Sequence, residues 1–283
     1  MRRLRASLLV GLVLCAGAAA AQDQEAIPAH DVVPSKEQAG VVHINAISKP
    51  EMHSYRAIVA GLDKFDQLHA MAPRVPQLVF VARSRGNGGG PLKGAAPTAK
   101  LSADGFSLPL PLDDSLHFTV PRNQQAWDGK AELVLSRKRR EVMVWPDIRT
   151  PGLAENQRRL GDVRLECQVL IAVVKEEAPF WVVAMVNSLI LTRDWCSFMK
   201  DKDRTWSVAM PAELASATLR DGARSESLKV SGKSFHVAIG DTSLSNDALI
   251  EVVYAQDEAQ DGAPAEPDAA PTRTAAETPR TGP

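Results

Sequence analysis

The sequence predicts a mainly β fold, in which one amphipathic helix precedes one or two antiparallel β-sandwich units. Three observations support this class. Short apolar runs recur at roughly ten-residue spacing, and Gly and Asp turn residues separate them. One early stretch has apolar residues at three- and four-residue spacing, which is typical of a helix. An export leader together with an even pair of later cysteines indicates a disulfide-bonded protein outside the cytoplasm.

The first 21 residues have the layout of a secretory signal peptide. Basic residues precede an apolar stretch over residues 6–14, and small residues lead to a cleavage site after Ala21. The apolar stretch is shorter than the about 20 residues that a bilayer span needs. We expect a periplasmic or secreted protein with no transmembrane segment in the mature chain. Lipidation of Cys15 is the disfavoured alternative, because Leu14 stands where a lipoprotein signal has a small residue.

Charge and composition restrict the partners. The net charge is −1, and it becomes about −4 when the leader and its arginines are removed. Residues 22–49 form a polar lead-in, and residues 255–283 form an acidic Ala/Pro-rich tail that we expect to be disordered. The body between them is nearly neutral, so we expect no nucleic-acid binding.

We predict that the body consists of two structural units. Residues 50–145 comprise the helix, ended by Pro73, and a first β-sandwich unit; residues 146–254 comprise a second β-rich unit with the disulfide. The Asp104-Gly105 pair predicts a hairpin turn, and the basic run at residues 137–140 predicts a solvated hairpin tip.

The segment from Trp145 to Cys167 mixes arginines and carboxylates densely. Such a mixture can bind a phosphate or a carboxylate, or it can form ion pairs that fasten a long loop to the sheet. We favour the structural role and also expect any ligand site to lie here. The candidate binding residues are Arg149, Arg158, Arg159, Asp162 and Arg164.

Cys167 and Cys196 are the cysteines left after the leader, and we predict that they form a disulfide. Residues 163–174 are predicted to be a strand that carries the first of them. Residues 178–191 are the most apolar stretch after the leader and are compatible with either a helix or a strand.

No catalytic, cofactor or metal motif is recognisable. No Gly-x-Ser-x-Gly elbow and no His-Glu-x-x-His occur, and Asp113 and Asp114 are adjacent in the chain rather than paired on one face. We therefore assign no catalytic residue, no cofactor and no metal ligand. A pocket that holds His117 or His236 near a carboxylate is the observation that would favour an enzyme.

Two resemblances add to these observations. The stretches beginning at Arg149, Arg158 and Leu165 make the chain similar to a family of signal-peptide-bearing proteobacterial proteins of no established activity. This resemblance implies the compartment alone. Residues 101–108 resemble the transthyretin-like, carboxypeptidase-regulatory type of β-sandwich, which implies only that fold.

The function expected from the sequence is that of a secreted or periplasmic, non-catalytic binding or envelope-associated structural protein. The partner stays open, with an envelope protein or an acidic partner as the candidates. A hydrolase with a dispersed active site and a lipid-anchored envelope accessory protein are the alternatives.

Overall fold

The computed structural model describes residues 49–86 and 92–256. Within them the protein is mainly β, with four antiparallel sheets. The predicted leader, most of the polar lead-in, the acidic tail beyond residue 256 and residues 87–91 of the glycine-rich loop lie outside the described residues. None of the described helices is both long and apolar enough to cross a membrane.

The strands are short and fall into four groups. The first sheet has the order β1-β6-β3-β4, the second β11-β10-β14-β8, the third β12-β13-β9 and the fourth β5-β2-β7. The strands are β1 (Pro50–Ser54), β2 (Val79–Ser84), β3 (Ala99–Ala103), β4 (Phe106–Leu110), β5 (His117–Phe118), β6 (Glu132–Lys138), β7 (Val142–Asp147), β8 (Gln157–Arg159), β9 (Trp206–Ala209), β10 (Leu214–Asp221), β11 (Arg224–Ser227), β12 (Lys229–Ser231), β13 (Ser234–Val237) and β14 (Leu249–Tyr254). The helices are α1 (Tyr55–Leu68), α2 (Gln124–Asp128), α3 (Leu160–Glu177) and α4 (Phe180–Ile190).

Helix α1 occupies the stretch of helical spacing, but a strand comes before it. The hydroxyl of Ser54 caps the helix by accepting a hydrogen bond from the backbone N–H of Ala57 at 3.1 Å. Its buried face includes Tyr55, Ile58 and Phe65. The preceding residues form β1, which pairs with β6.

The prediction of a strand over residues 163–174 is wrong, because these residues lie in α3. The helix buries two faces at once. Leu165 and Val169 belong to one apolar cluster, whereas Leu160 and Val163 belong to another, together with Cys167. A helix that is apolar on two sides loses the single-stripe pattern by which helices are recognised, and its β-branched residues then resemble a buried strand.

The two apolar clusters lie on either side of α3. The first contains α1 and side chains from the first and fourth sheets, and the second contains side chains from the second and third sheets. Helix α1 crosses α3 closely at Gly61, where an added Cβ would lie 2.9 Å from Cγ2 of Val173. The predicted division into units at residues 145 and 146 stays a prediction.

The turn chemistry near residue 104 is confirmed, whereas the basic hairpin is not. β3 and β4 pair across the Asp104-Gly105 turn, and Gly105 has the positive φ of 70° that favours glycine. The basic run lies at a turn between β6 and β7, but these strands belong to different sheets and do not pair with each other. The turn therefore passes the chain from one sheet to the next.

The predicted disulfide is confirmed, and the ambiguous apolar stretch is a helix. The sulfurs of Cys167 and Cys196 are 2.07 Å apart and join α3 to the segment that follows α4. Residues 178–191 contain α4, which begins after Pro179; no residue of this helix is buried.

Candidate functional site

The fourth sheet places three charged side chains on one face. β2 is the central strand, and Val81 on it lies opposite His117 on β5 and Trp145 on β7. Because side chains alternate along a strand, Arg83 shares the face of Val81, and Asp147 shares the face of Trp145. Phe80 and Ala82 point to the other face, into the first apolar cluster.

These side chains converge on the carboxylate of Asp147. Nε2 of His117 lies 3.0 Å from Oδ2 of Asp147, and an NH2 group of Arg83 donates to Oδ1 at 3.0 Å. Nε of Arg149 donates to the same carboxylate, at 3.2 Å to Oδ2 and 3.3 Å to Oδ1. Two guanidinium groups and one imidazole ring thus surround the carboxylate of Asp147, whose side chain is only 6% exposed.

The charges shift the pKa values of this cluster. Burial alone would raise the pKa of Asp147, but the hydrogen bond from His117 and the charges of Arg149, Arg158 and Arg83 hold it well below its usual range. The hydrogen bond to Asp147 raises the pKa of His117 above 6.5, against the opposing effect of burial. Burial lowers the pKa of Arg83, although Asp147 opposes that effect.

A second carboxylate faces the other ring nitrogen of His117. Nδ1 of His117 lies 3.5 Å from Oδ1 of Asp113. The same oxygen accepts hydrogen bonds from the backbone N–H groups of Ser115 at 2.9 Å and His117 at 2.8 Å. Both ring nitrogens therefore face carboxylates, and this geometry favours the doubly protonated imidazolium.

An open pocket of about 500 Å³ lies in front of the cluster. Its charged lining comprises Arg83, Asp114, His117, Asp147 and Arg149. The remaining lining is largely apolar and comes from β2, from the loops before β3 and β5, and from the end of β9; it includes Val81, Leu92, Ala96, Leu116, Met210 and Pro211.

Behind the pocket, buried ion pairs fix the backbone that carries Arg149. An NH2 group of Arg158 donates to Oε1 of Glu166 at 2.6 Å, and the same oxygen accepts from the backbone N–H of Ile148 at 3.0 Å. Asp162 accepts from the backbone N–H of Thr150 at 2.7 Å and from its hydroxyl at 2.8 Å. The neighbours of Arg149 on both sides are therefore fastened to α3.

Of the five candidate binding residues, only Arg149 lines this pocket. Arg158 and Asp162 are buried in the network behind it. Arg159 donates to Oδ1 of Asp247, at 2.6 Å from NH2 and 3.0 Å from Nε, and also to the carbonyl oxygen of Met71. Arg164 donates to three backbone carbonyl groups and to the side chain of Asn246 on the far side of α3.

Two residues of the cluster, Arg83 and Asp147, are not among the candidate residues predicted from the sequence. Their signal was the alternation along β2 and β7, which places Arg83 and Asp147 on the face of His117. His236 lies on β13 and, among the described residues, has no ion-pair partner. Arg158 is only 1% exposed, so it cannot join the basic run at residues 137–140 in a surface for an acidic partner.

Within residues 49–86 and 92–256, no cluster of three or more His, Cys, Asp or Glu side chains is arranged to hold a metal ion. Comparisons with models of protein families, with curated proteins and with solved structures found no match.

Proposed function

We propose that this is a non-catalytic binding protein of the extracytoplasmic space, and that the pocket over Asp147 takes a small organic anion with an apolar body. The observation that carries the proposal is the convergence of Arg83, His117 and Arg149 on one buried carboxylate at the base of an open pocket. Asp113, which faces His117, and Asp114, in the pocket lining, offset part of this positive charge, so the anion is expected at Arg149, whose terminal NH groups are unused.

Arg149 supplies the donors for the ligand. Its Nε is engaged by Asp147, but its terminal NH groups have no hydrogen-bond partner among the described residues, and 40% of its side chain is exposed. A guanidinium with two free NH groups can bind a planar or tetrahedral oxyanion through paired hydrogen bonds. The oxyanion is thus expected at Arg149, beside the imidazolium of His117.

The apolar lining determines the rest of the ligand. Leu92, Leu116 and Met210 line the pocket, and pockets for small molecules combine such apolar walls with a few polar groups that set orientation. A medium-chain carboxylate or alkyl phosphate matches this arrangement. A highly hydrated inorganic anion would leave the apolar walls uncovered.

Thermal-shift and calorimetric titrations with alkyl carboxylates and alkyl phosphates test this proposal, with alkyl amines and alcohols of equal length as ligand controls. We expect the anions alone to bind. Arg149→Ala should weaken binding about 10- to 100-fold, because a hydrogen bond to a charged group contributes about 1.5–3 kcal/mol. Arg220→Ala is the matched control, because Arg220 is 63% exposed and lies elsewhere, on β10. Equal binding by the Arg149→Ala variant would overturn the proposal.

A hydrolase is the second candidate, because Ser115, His117 and Asp147 all line the pocket. A serine hydrolase needs a histidine with one ring nitrogen free to take the proton of the nucleophile. Both nitrogens of His117 face carboxylates, which supports the non-catalytic proposal. Chromogenic alkyl esters test the alternative: turnover by the wild type that Ser115→Ala and His117→Gln both abolish would favour the hydrolase.

The proposed location rests on the leader and the disulfide. A disulfide between Cys167 and Cys196 suits an oxidising compartment. We propose cleavage after Ala21 rather than lipidation at Cys15, and face-to-face sandwich packing for the antiparallel sheets. An intact mass that corresponds to a chain beginning at Gln22 supports the export proposal, whereas a lipid-modified cysteine would establish the anchored alternative.

A further inference from the structure

Helix α4 presents an apolar face to solvent. The described residues include nine large apolar side chains that are exposed, and six of them lie between residues 174 and 191. Five come from α4 and the residue that follows it, and they are exposed by between 49% and 89%: Phe180, Trp181, Met185, Leu189 and Leu191. Trp181, Met185 and Leu189 recur at i, i+4 and i+8, so they share one side of the helix, here called the outer face. Phe180 is exposed in the first turn, about 100° around the helix from Trp181.

The outer face offers almost no unused polar group. No charged residue occurs in residues 180–191. The hydroxyl of Ser188 donates to the carbonyl oxygen of Ala184 at 3.0 Å, within the helix itself. Asn187, on the side toward the body, accepts a hydrogen bond from the indole N–H of Trp195 at 2.8 Å. Each of these two polar side chains of α4 therefore makes one hydrogen bond within the chain.

Contacts outside α4 hold the helix in place. The disulfide fastens Cys196 to α3, and Oδ1 of Asp194 accepts from Gln168 Nε2 at 2.9 Å and from the backbone N–H of Cys196 at 3.0 Å. Lys175 on α3 donates to the backbone carbonyl of Arg193. The segment that follows α4 is thus fixed to α3, and only residues 178 and 179 separate the beginning of α4 from the end of α3, although no residue of α4 is buried. A large apolar patch maintained on a surface indicates a binding face.

A lipid surface fits this face better than a second protein. Specific protein interfaces carry about one hydrogen bond per 100–200 Å² and a polar rim, whereas the outer face carries no charged group and, as its polar side chain, only Ser188, whose hydroxyl already donates within the helix. Hydrocarbon needs none. Trp and Phe are favoured at the boundary between headgroups and acyl chains, and Phe180 and Trp181 lie together at the beginning of the helix.

The length of the helix and the nearby charges define how it would dock. Its 11 residues span about 16 Å, about half of the hydrocarbon thickness of a bilayer, so it would lie in the interface. The two flanking cations, Lys175 and Arg193, are outnumbered by the three flanking carboxylates, Glu176, Glu177 and Asp194. We infer that the outer face of α4 docks the protein on a lipid surface through apolar insertion, without dependence on anionic lipid.

Flotation of the exported full-length protein with phosphatidylcholine vesicles tests the inference. We expect the wild type to float with the vesicles equally at physiological and at high salt, because the face carries no charge. Trp181→Ser combined with Leu189→Ser should lower the bound fraction about tenfold or more. The matched control combines Trp127→Ser on α2 with Val253→Ser on β14, since both residues are exposed by 37% and lie on other elements; it should bind within about twofold of the wild type.

Two readouts exclude trivial explanations. Quenching of Trp fluorescence by brominated acyl chains should be strong in the wild type and should largely vanish in Trp181→Phe. Failure of the wild type to float, or equal flotation of the α4 double variant, would overturn the inference. A dimer that the α4 double variant dissociates, together with no vesicle binding, would also overturn it and assign the face to a second copy. The anion titrations of the pocket are independent of every one of these outcomes.

Discussion

The two regions that flank α3 invert the usual distribution of side chains. Before and within its first turns, charged groups are buried: Arg158 and Asp162 are at most 1% exposed, and Glu166 is 3% exposed. After its last turn, apolar groups are exposed, with Phe180 at 85% and Leu189 at 74%. Helix α3 thus has buried ion pairs at its beginning and is followed by an exposed apolar helix, α4.

The comparison shows that the charged side chains near the start of α3 stabilise the fold, whereas the apolar side chains of α4 are accessible to a partner. Arg158, Asp162 and Glu166 are paired, and each contacts a backbone group next to Arg149, so these residues act on a ligand only through the position of Arg149. The apolar residues after α3 fix nothing and are free to contact a partner. Except for Arg149, the candidate binding residues of the sequence are therefore structural, and the apolar residues of α4, which the sequence indicates as core, are at the surface.

The largest effect is expected from the buried ion pair. Glu166→Gln leaves Arg158 buried without its counter-charge, and the loss of one buried partner costs about 3–5 kcal/mol. Urea unfolding measures this change. Glu251→Gln, which breaks the exposed pair with Arg220, is the control and should cost less than about 1 kcal/mol. Equal costs for the two variants would remove the distinction between the regions.

The disulfide is expected to have the next largest effect. Its sequence separation of 29 residues corresponds to about 3–4 kcal/mol in the chain-entropy model. Cys167→Ser combined with Cys196→Ser should lower the free energy of unfolding by about that amount. Reductant should destabilise the wild type equally and leave the double variant unchanged. Two free thiols in the unreduced, unfolded wild type would contradict the assignment.

The third largest contribution to the free energy of unfolding, about 3 kcal/mol, comes from the protonated ring of His53 and depends on pH. Burial alone would lower the pKa of His53, but hydrogen bonds to Glu177 at the end of α3 and to Glu51 on β1 raise it from 6.5 to about 9. The folded pKa is the higher one, so the stabilisation is complete below pH 6.5 and is lost as the pH rises through about 9. His53→Gln should reduce the slope between pH 6.5 and 9, leaving the part that the raised pKa of His117 contributes.

His236→Gln is the matched control for that measurement and should keep the pH slope of the wild type. An unchanged slope in His53→Gln would show that the junction of β1 and α3 does not depend on the imidazolium.

The smallest change in the free energy of unfolding is expected from substitutions on the outer face of α4. The Trp181→Ser and Leu189→Ser double variant should change the free energy of unfolding by less than about 0.5 kcal/mol, because the helix buries none of its residues. Urea unfolding in the absence of lipid measures it. A cost above about 2 kcal/mol would mean that the outer face packs against the body.

Local chemistry was predictable from the sequence, whereas features that depend on tertiary contacts were not. The Asp104-Gly105 hairpin and the Cys167–Cys196 bond follow from turn preference and cysteine count. Helix α3 was mistaken for a strand because it buries two faces. The hairpin at residues 137–140 failed because strand pairing is decided by partners far away in the chain.

The candidate site was only partly predictable for the same reason. Arg149 was recognised by its place in a charged segment. Arg83 comes from a strand more than sixty residues earlier, and only the pairing of β2 with β7 brings it to Asp147. The exposure of α4 reverses the expectation for an apolar stretch, since composition alone indicates burial.

The most direct test of the binding proposal is an NMR titration of the ¹⁵N-labelled His117 ring, assigned with His117→Gln. We predict a midpoint above the ordinary pKa of 6.5, with both nitrogens protonated below it. Asp147→Asn should lower that midpoint, because it removes the carboxylate 3.0 Å from Nε2. A midpoint at or below 6.5, with one nitrogen unprotonated in the neutral range, would contradict a cationic binding site and would provide the free base that a hydrolase requires.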